Sequence, residues 1–143
     1  MTALPQPKND AGRSDRPLIL IVERDLPTRE LEAHFLTAAG FAVEFADDGR
    51  AALEQVRLLN PQIVITEILV PKLDGLALCR QIKEAPQTRM VAVLVFSILA
   101  ASLRAKDAGA DAFLLKPLAE HRLLSTVRSL LGKSTIEVAK EQA

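Results

Sequence analysis

The sequence predicts an α/β fold in which five parallel strands form a doubly wound sheet with helices on both faces. Five short apolar runs alternate along the chain with five segments of helical periodicity, which is the pattern of repeated βαβ units. Most of these runs are continuously apolar, as expected of strands that are buried on both faces. Glycine, proline and asparagine residues separate the segments where helices are expected to end.

The first strand is predicted at residues 18–22, where five apolar side chains follow one another. Asp25 is expected to cap the helix that follows, with Pro27 in its first turn. Gly40 is expected to end this helix in the left-handed conformation. Helical spacing predicts that its buried face is formed by Leu31, Phe35 and Ala38.

The rest of the chain repeats the alternation. Further strands are predicted at residues 41–46, 63–65, 91–96 and 112–115. The four remaining helices are expected to end at or before Asn60, Pro86, Gly109 and Gly132. A chain of this (βα)5 pattern is expected to adopt the flavodoxin-like strand order 2-1-3-4-5. The apolar residues that mark these helices are Ala52, Leu53, Val56 and Leu59; Leu76, Cys79 and Ile82; Leu99, Leu103 and Ala108; and Leu123, Leu124, Val127 and Leu131.

The composition favours one globular domain. The chain has 143 residues, and 49% of them are apolar, which is enough for one core. Lys plus Arg equals Asp plus Glu at 18 each, so we expect neither a nucleic-acid nor a membrane partner. The single cysteine, Cys79, fits a reducing cytoplasm. We expect a flexible N-terminal tail at residues 1–16, a folded domain at residues 17–132 and a C-terminal tail at residues 133–143.

Polar residues collect where the predicted strands end. In doubly wound sheets, the functional crevice lies beyond the carboxyl ends of the strands. Carboxylates at such a place can hold a hard cation such as magnesium. A lysine and a hydroxyl can bind a phosphoryl group. Spacing alone leaves open the alternative that these are solvated loop residues. The strand ends carry Glu23-Arg24-Asp25, Thr66-Glu67, Ser97 and Lys116-Pro117.

Four segments of the chain resemble the receiver domain of two-component response regulators. They are LILIVERDLPTRELE, ITEILVPKLDGLALCRQI, VLVFSILA and GADAFLLKPL, and the resemblance as a whole extends over about residues 17–131. The order of Val-Pro-x-x-Asp-Gly and Leu-Lys-Pro makes the combination specific. The resemblance implies a role for particular residues and a cis Lys116-Pro117 bond. The acidic-pair positions are Glu23 and Arg24, the phosphoacceptor-equivalent position is Glu67, and the phosphate-contact and switch positions are Ser97, Lys116 and Phe113.

Three residues depart from the family pattern. Arg24 places a permanent positive charge where a metal ligand is usual, so we do not expect tight magnesium binding. Glu67 is one methylene longer than the usual aspartate, and in-line phosphoryl transfer is sensitive to such a displacement. Ile98 replaces a small residue beside the phosphoryl position. Glu23 and Glu67 would be the ligands if magnesium does bind, with Asp25 as a displaced ligand in place of its helix-capping role.

We predict that an ion pair between Arg24 and Glu67 replaces the metal, with a further contact from Glu67 to Lys116. Formal charges over Glu23, Arg24, Glu67 and Lys116 then sum to zero. A glutamate at this position can also imitate part of the charge of a phosphorylated aspartate.

Three functions are compatible with this pattern. The first is a non-enzymatic, phosphorylation-independent interaction module that binds a histidine kinase or an output protein through its fourth helix, fifth strand and fifth helix. The second is a magnesium-dependent phosphoacceptor in a phosphorelay, which catalyses its own phosphorylation. The third is an unrelated flavodoxin-like enzyme, although no phosphate-binding glycine loop follows the first strand. A homodimer through the last helix is an alternative use of Leu118, Leu123 and Leu130.

We expect three further residues to be structural or surface residues: Cys79, His34 and His121.

Overall fold

A computed structural model describes residues 16–142 of the chain, with side chains from residue 16 to residue 132. The predicted N-terminal tail lies outside the described residues, apart from Arg16. Strands and helices alternate throughout, and each predicted strand is found within one residue of its expected limits. The strands are β1 (Leu18–Val22), β2 (Ala42–Ala46), β3 (Ile63–Thr66), β4 (Ala92–Ser97) and β5 (Ala112–Leu115), and the helices are α1 (Leu26–Ala38), α2 (Gly49–Leu59), α3 (Gly75–Glu84), α4 (Ser102–Asp107) and α5 (Glu120–Gln142).

The five strands form one parallel sheet in the order β2-β1-β3-β4-β5, which confirms the predicted flavodoxin-like topology. The register places Val22 beside Thr66, and Ser97 beside Leu115. Because all strands run in the same direction, their carboxyl ends meet at one edge of the sheet. The polar residues that follow these ends are therefore brought together.

Two hydrophobic clusters cover the two faces of the sheet. One contains the buried side chains of α2, α3 and α4, including Val56, Cys79 and Ala105. The other contains those of α1 and α5, including Leu36 and Val127. The helices thus lie on both faces, as the doubly wound prediction requires. None of the described helices is long and apolar enough to cross a membrane.

Aspartates begin three of the helices, since each carboxylate accepts hydrogen bonds from backbone N–H groups in the first turn. Asp74 Oδ1 accepts from Leu76 N at 2.8 Å and from Ala77 N at 2.9 Å. Asp25 and Asp48 cap α1 and α2 in the same way.

Replacing Asp74 with alanine is expected to lower the free energy of unfolding by about 1 kcal/mol, because two N–H groups lose their acceptor. Asp74→Asn keeps a side-chain oxygen at the same place and should cost much less. Urea unfolding of the two variants checks this. Equal losses in both would show that the capping oxygen is not the cause.

Three details of the helices differ from the prediction. The buried residues of α1 are Glu32 and Leu36, whereas the predicted Leu31 and Ala38 are exposed, so the inward face is rotated by about one residue. Leu103 is also exposed, because the short α4 presents Ala105 to the core instead. α5 continues through Gly132 to Gln142, so the predicted helix end at Gly132 is wrong. Gly40 and Gly109, by contrast, have the positive φ expected after a helix.

Candidate functional site

The strand ends bring together Glu23, Glu67, Ser97 and Lys116, which we call the carboxylate–lysine cluster. Lys116 Nζ lies 2.8 Å from Glu23 Oε1 and 3.0 Å from Glu67 Oε2. The side chains of Lys116, Glu23 and Glu67 are only 12%, 4% and 5% exposed. One largely buried ammonium group therefore bridges two buried carboxylates, and the predicted contact between Glu67 and Lys116 is confirmed.

Both oxygens of Glu67 accept hydrogen bonds from the surrounding chain. Oε1 accepts from the N–H of Ile68 at 2.6 Å and of Leu69 at 3.3 Å, and from the hydroxyl of Ser97. Oε2 accepts from the N–H of Ile98 at 3.2 Å in addition to its ion pair with Lys116. The carboxylate is thus held by groups from the ends of β3, β4 and β5.

These contacts shift the pKa values of the paired groups. Burial alone would raise the pKa of Glu67, but the hydrogen bonds from Ser97 and Lys116 outweigh it, and the pKa is lowered. Burial alone would lower the pKa of Lys116, but its bonds to Glu23 and Glu67 raise it on balance. Glu67 is consequently an anion and Lys116 a cation at neutral pH.

Arg24 does not form the predicted ion pair with Glu67. Its side chain is exposed, and no ion pair to another described residue is found. Side chains alternate in direction along extended chain, so when Glu23 points into the cluster, its neighbour Arg24 points out. The charges inside the cluster are those of Glu23, Glu67 and Lys116, which sum to minus one and not to zero.

Asp25 begins α1, as predicted from its position before Pro27. Its carboxylate accepts from Thr28 N at 3.1 Å and from Thr28 Oγ1 at 2.6 Å. The hydrogen bonds from Thr28 lower the pKa of Asp25. The backbone N–H of Asp25 in turn donates to Glu23 Oε2 at 3.2 Å.

The donor set of the cluster does not fit a magnesium ion. Magnesium requires oxygen ligands in near-octahedral arrangement. Here Glu23 Oε1 and Glu67 Oε2 both already bind Lys116, and the remaining carboxylate oxygens accept N–H and O–H donors. No group of three or more potential metal ligands is found within the described part of the chain. The ammonium of Lys116 neutralises one of the two carboxylate charges.

The remaining predicted positions surround the cluster. The Lys116-Pro117 bond is cis, as the resemblance implied. Phe113, in the strand β5, is half-buried and packs on the hydrophobic cluster of α2, α3 and α4 side chains. Ile98 contributes only its N–H, while its side chain is exposed at the mouth of the site. The Ser97 hydroxyl also accepts from Leu99 N at 3.1 Å, which ties the end of β4 to the loop that follows.

Sequence reasoning missed Glu32, a buried glutamate on α1. Burial, with a smaller contribution from the charge of Glu23, raises the pKa of Glu32 to about 8. The available signal was its spacing of four residues from Leu36, which places both on one helix face.

The remaining residues singled out in the sequence are structural or surface residues. Cys79 is a buried free thiol whose pKa is raised to about 11 by burial. His34 and His121 are exposed. Leu123 and Leu130 are core residues, whereas Leu118 is half-buried.

A family model described as the response regulator receiver domain matches residues 19–128. The response regulator MprA of Mycolicibacterium vanbaalenii is 36% identical over 118 residues, which cover 82% of this chain and 51% of the relative. MprA of Mycobacterium tuberculosis is 35% identical over 124 residues, which cover 86% of this chain and 54% of the relative. The chain thus spans about half the length of these curated relatives.

Solved structures have the same fold. The signal receiver domain of a signal transduction histidine kinase from Syntrophus aciditrophicus is 35% identical, with a TM-score of 0.77 over 82% of this chain and 91% of that one. The chemotaxis response regulator CheY4 of Vibrio cholerae is 24% identical, with a TM-score of 0.75 over 80% of this chain and 98% of that one. The second likeness concerns the fold alone.

Proposed function

The chain belongs to the response regulator receiver domain family, and from this we propose that it is a phosphorylation-independent interaction module in two-component signalling. The observation that carries the proposal is the bonding of Glu67. This residue stands at the phosphoacceptor-equivalent position and already accepts from Ser97, Ile98 and Lys116. The carboxylate therefore uses the donors that a phosphoryl group at this place would need.

Phosphoryl transfer to Glu67 is unfavourable for two physical reasons. A nucleophilic oxygen needs a lone pair directed at the donor, and both oxygens of Glu67 already accept hydrogen bonds. The carboxylate oxygens that could bind a cation are also engaged, since Lys116 bridges Glu23 and Glu67. We infer that neither magnesium nor another cofactor takes part, and that the chain is not an enzyme.

The surface that we propose for a protein partner is formed by α4, β5 and α5. Three large apolar side chains are exposed on or beside α4 and β5: Ile98 at 62%, Leu103 at 76% and Leu115 at 51%. Exposed apolar residues that lie together are typical of protein-binding surfaces. The end of this surface meets the cluster, because Ile98 donates to Glu67 and Lys116 follows Leu115. A histidine kinase or an output protein is the expected partner, and the cytoplasm the expected location.

The test is the intact mass of the protein after incubation with magnesium and a small phosphodonor. We expect no phosphoryl adduct on the natural chain. A reconstructed variant, Arg24→Asp with Glu67→Asp, restores the usual acid pattern and should gain an adduct under the same conditions. The Glu67→Gln variant provides the background level.

An adduct on the natural chain that is lost in Glu67→Gln would contradict the proposal. It would establish the alternative function, a magnesium-dependent phosphoacceptor. The third function, an unrelated flavodoxin-like enzyme, has no support from the family to which the chain belongs.

A further inference from the structure

Glu32 lies on the same side of the sheet as the carboxylate–lysine cluster. Ile21, Ile65 and Leu114 belong to the hydrophobic cluster beneath α1 and α5. The cluster residues Glu23, Glu67 and Lys116 each follow two positions later, so they extend from the same face. Glu32 reaches this face from α1, about 9 Å along the helix from its first residue, Leu26.

The carboxyl group of Glu32 is buried without full satisfaction of its hydrogen-bonding capacity. The residue is 1% exposed, and its Oε1 has no hydrogen-bond partner among the described residues. A buried carboxylate without partners is strongly unfavourable, whereas the neutral acid is tolerated. Burial accordingly raises the pKa of Glu32 to about 8, so it carries a proton at neutral pH.

The charged groups that act on Glu32 come from three strand ends. Glu23 and Glu67 raise its pKa and Lys116 lowers it. On its own helix, Arg29 is paired with Asp47 at 2.6 Å, and Glu30 is exposed. The ionisable side chains of the described part of α5 are exposed to solvent: Glu120, His121, Arg122 and Arg128.

We propose that Glu32 is a proton-binding site that controls the carboxylate–lysine cluster. When Glu32 holds its proton, Lys116 is shared by Glu23 and Glu67 alone. When the proton leaves to water, the net charge around Lys116 changes from minus one to minus two. The new carboxylate then competes for the ammonium, and the bonds that hold Glu67 loosen. This inference rests on the proposed function in treating the bonding of Glu67 as the resting state of the site.

The experiment is an NMR titration of protein labelled with ¹³C at the glutamate carboxyl carbons. We expect Glu32 to titrate near pH 8, with assignment from its loss in Glu32→Gln. The amides of Ile68 and Ile98, which donate to Glu67, should shift with the same midpoint. The amide of Ala51, which donates to Asp48 at 2.7 Å in another part of the fold, should not.

Two variants separate the proton site from a general effect of charge. Glu32→Gln should abolish the alkaline shift of the Ile68 and Ile98 amides, whereas Glu30→Gln on the same helix should retain it. Because the folded pKa of Glu32 lies above its ordinary value of 4.5, stability should fall as pH rises through about 8. The midpoint of thermal unfolding of the natural chain should therefore decrease between pH 6 and pH 9 more than that of Glu32→Gln.

Titration of Glu32 near its ordinary pKa would overturn the proposal. So would Ile68 and Ile98 amides that stay unchanged while Glu32 loses its proton. Both results can be read on the natural chain, even if Glu32→Gln does not fold. They are also independent of the phosphoryl adduct, so the proton site and the proposed function can fail separately.

Discussion

Replacing Lys116 with methionine is expected to lower the free energy of unfolding at neutral pH by about 3–5 kcal/mol, the range for removing one partner of a buried ion pair. Methionine keeps much of the length and apolar volume of the lysine stem, so packing changes little. The loss comes from Glu23 and Glu67, which remain buried with no cation between them. Urea unfolding at pH 7 measures it.

The matched control is Lys72→Met. Lys72 lies 3.6 Å from Asp48, and its side chain is 67% exposed. Pairs of this kind contribute at most about 1 kcal/mol, because water and salt screen them. If Lys116→Met loses no more stability than Lys72→Met, the cluster is not the buried ion-pair network that the distances indicate.

The pH dependence of these proteins distinguishes lost charge from lost packing. In the natural chain the lowered pKa of Glu67 contributes stability above pH 4.5. This contribution is lost as the pH falls through the pKa that Glu67 has in the folded protein. The raised pKa of Lys116 contributes stability below pH 10.5. This contribution is lost as the pH rises through the pKa that Lys116 has in the folded protein. In Lys116→Met the unpaired carboxylates should take up protons more readily. The deficit relative to the natural chain should therefore shrink between pH 7 and pH 5.

A double-mutant cycle with Glu67→Gln isolates the interaction itself. The glutamine side chain of that variant carries no charge, so less negative charge remains for Lys116 to neutralise. We expect the two substitutions together to cost clearly less than their sum, because residues in one network are not independent. Additive losses would mean that Lys116 stabilises the fold mainly through Glu23 or through Phe96, whose ring centre lies 5.4 Å from Nζ.

The order of elements follows from the sequence because each is encoded locally. The apolar run of β1, the capping Asp25 and the left-handed Gly40 are signals that act within a few residues. The edge at which parallel strands end is a property of the topology, so Glu67 and Lys116 could be placed together without coordinates.

The direction of individual side chains was less predictable. We predicted that Arg24 lies in the site because it is one of the residues at the end of β1. Side chains alternate in direction after Glu23, however, so the side chain of Arg24 points outward. The buried face of α1 was assigned to its apolar residues, and the helix instead buries Glu32, which no hydrophobic pattern identifies. Gly132 resembles a helix end, but nothing in its local sequence reveals that α5 continues through it.

The errors at Arg24 and Glu32 both concern charge. A buried glutamate contradicts the usual preference of ionisable residues for water, and such conflicts are expected where a protein has a functional constraint. Two carboxylates, those of Glu23 and Glu67, contact the ammonium of Lys116, and the charges of all three groups act on the pKa of the buried Glu32.

The second large effect is expected at Gly75, the first residue of α3. A Cβ atom at this position would lie 2.2 Å from the carbonyl oxygen of Glu67 and 2.9 Å from Ile68 Cα. Both are backbone atoms, so relief requires the loop after β3 to move. Gly75 also donates to Ile68 O at 2.9 Å, which fixes the helix start against this loop. We expect Gly75→Ala to lower the free energy of unfolding by about 3 kcal/mol, at the upper end of the usual range for overpacking.

The same substitution at Gly132 is the control, since that glycine is also helical but has no atom within 4 Å of a new Cβ. Gly132→Ala should raise stability by up to about 1 kcal/mol, because alanine loses less backbone entropy in a helix. The hydrogen bonds of Glu67 provide a second measure of the effect of Gly75→Ala. Displacing the Glu67 backbone should weaken its bonds to Ser97 and Ile98, so the Ile98 amide resonance should shift in Gly75→Ala and stay in place in Gly132→Ala. Equal stability of the two variants would show that α3 can retreat from Glu67, and that the close approach of helix and loop does not hold the carboxylate in position.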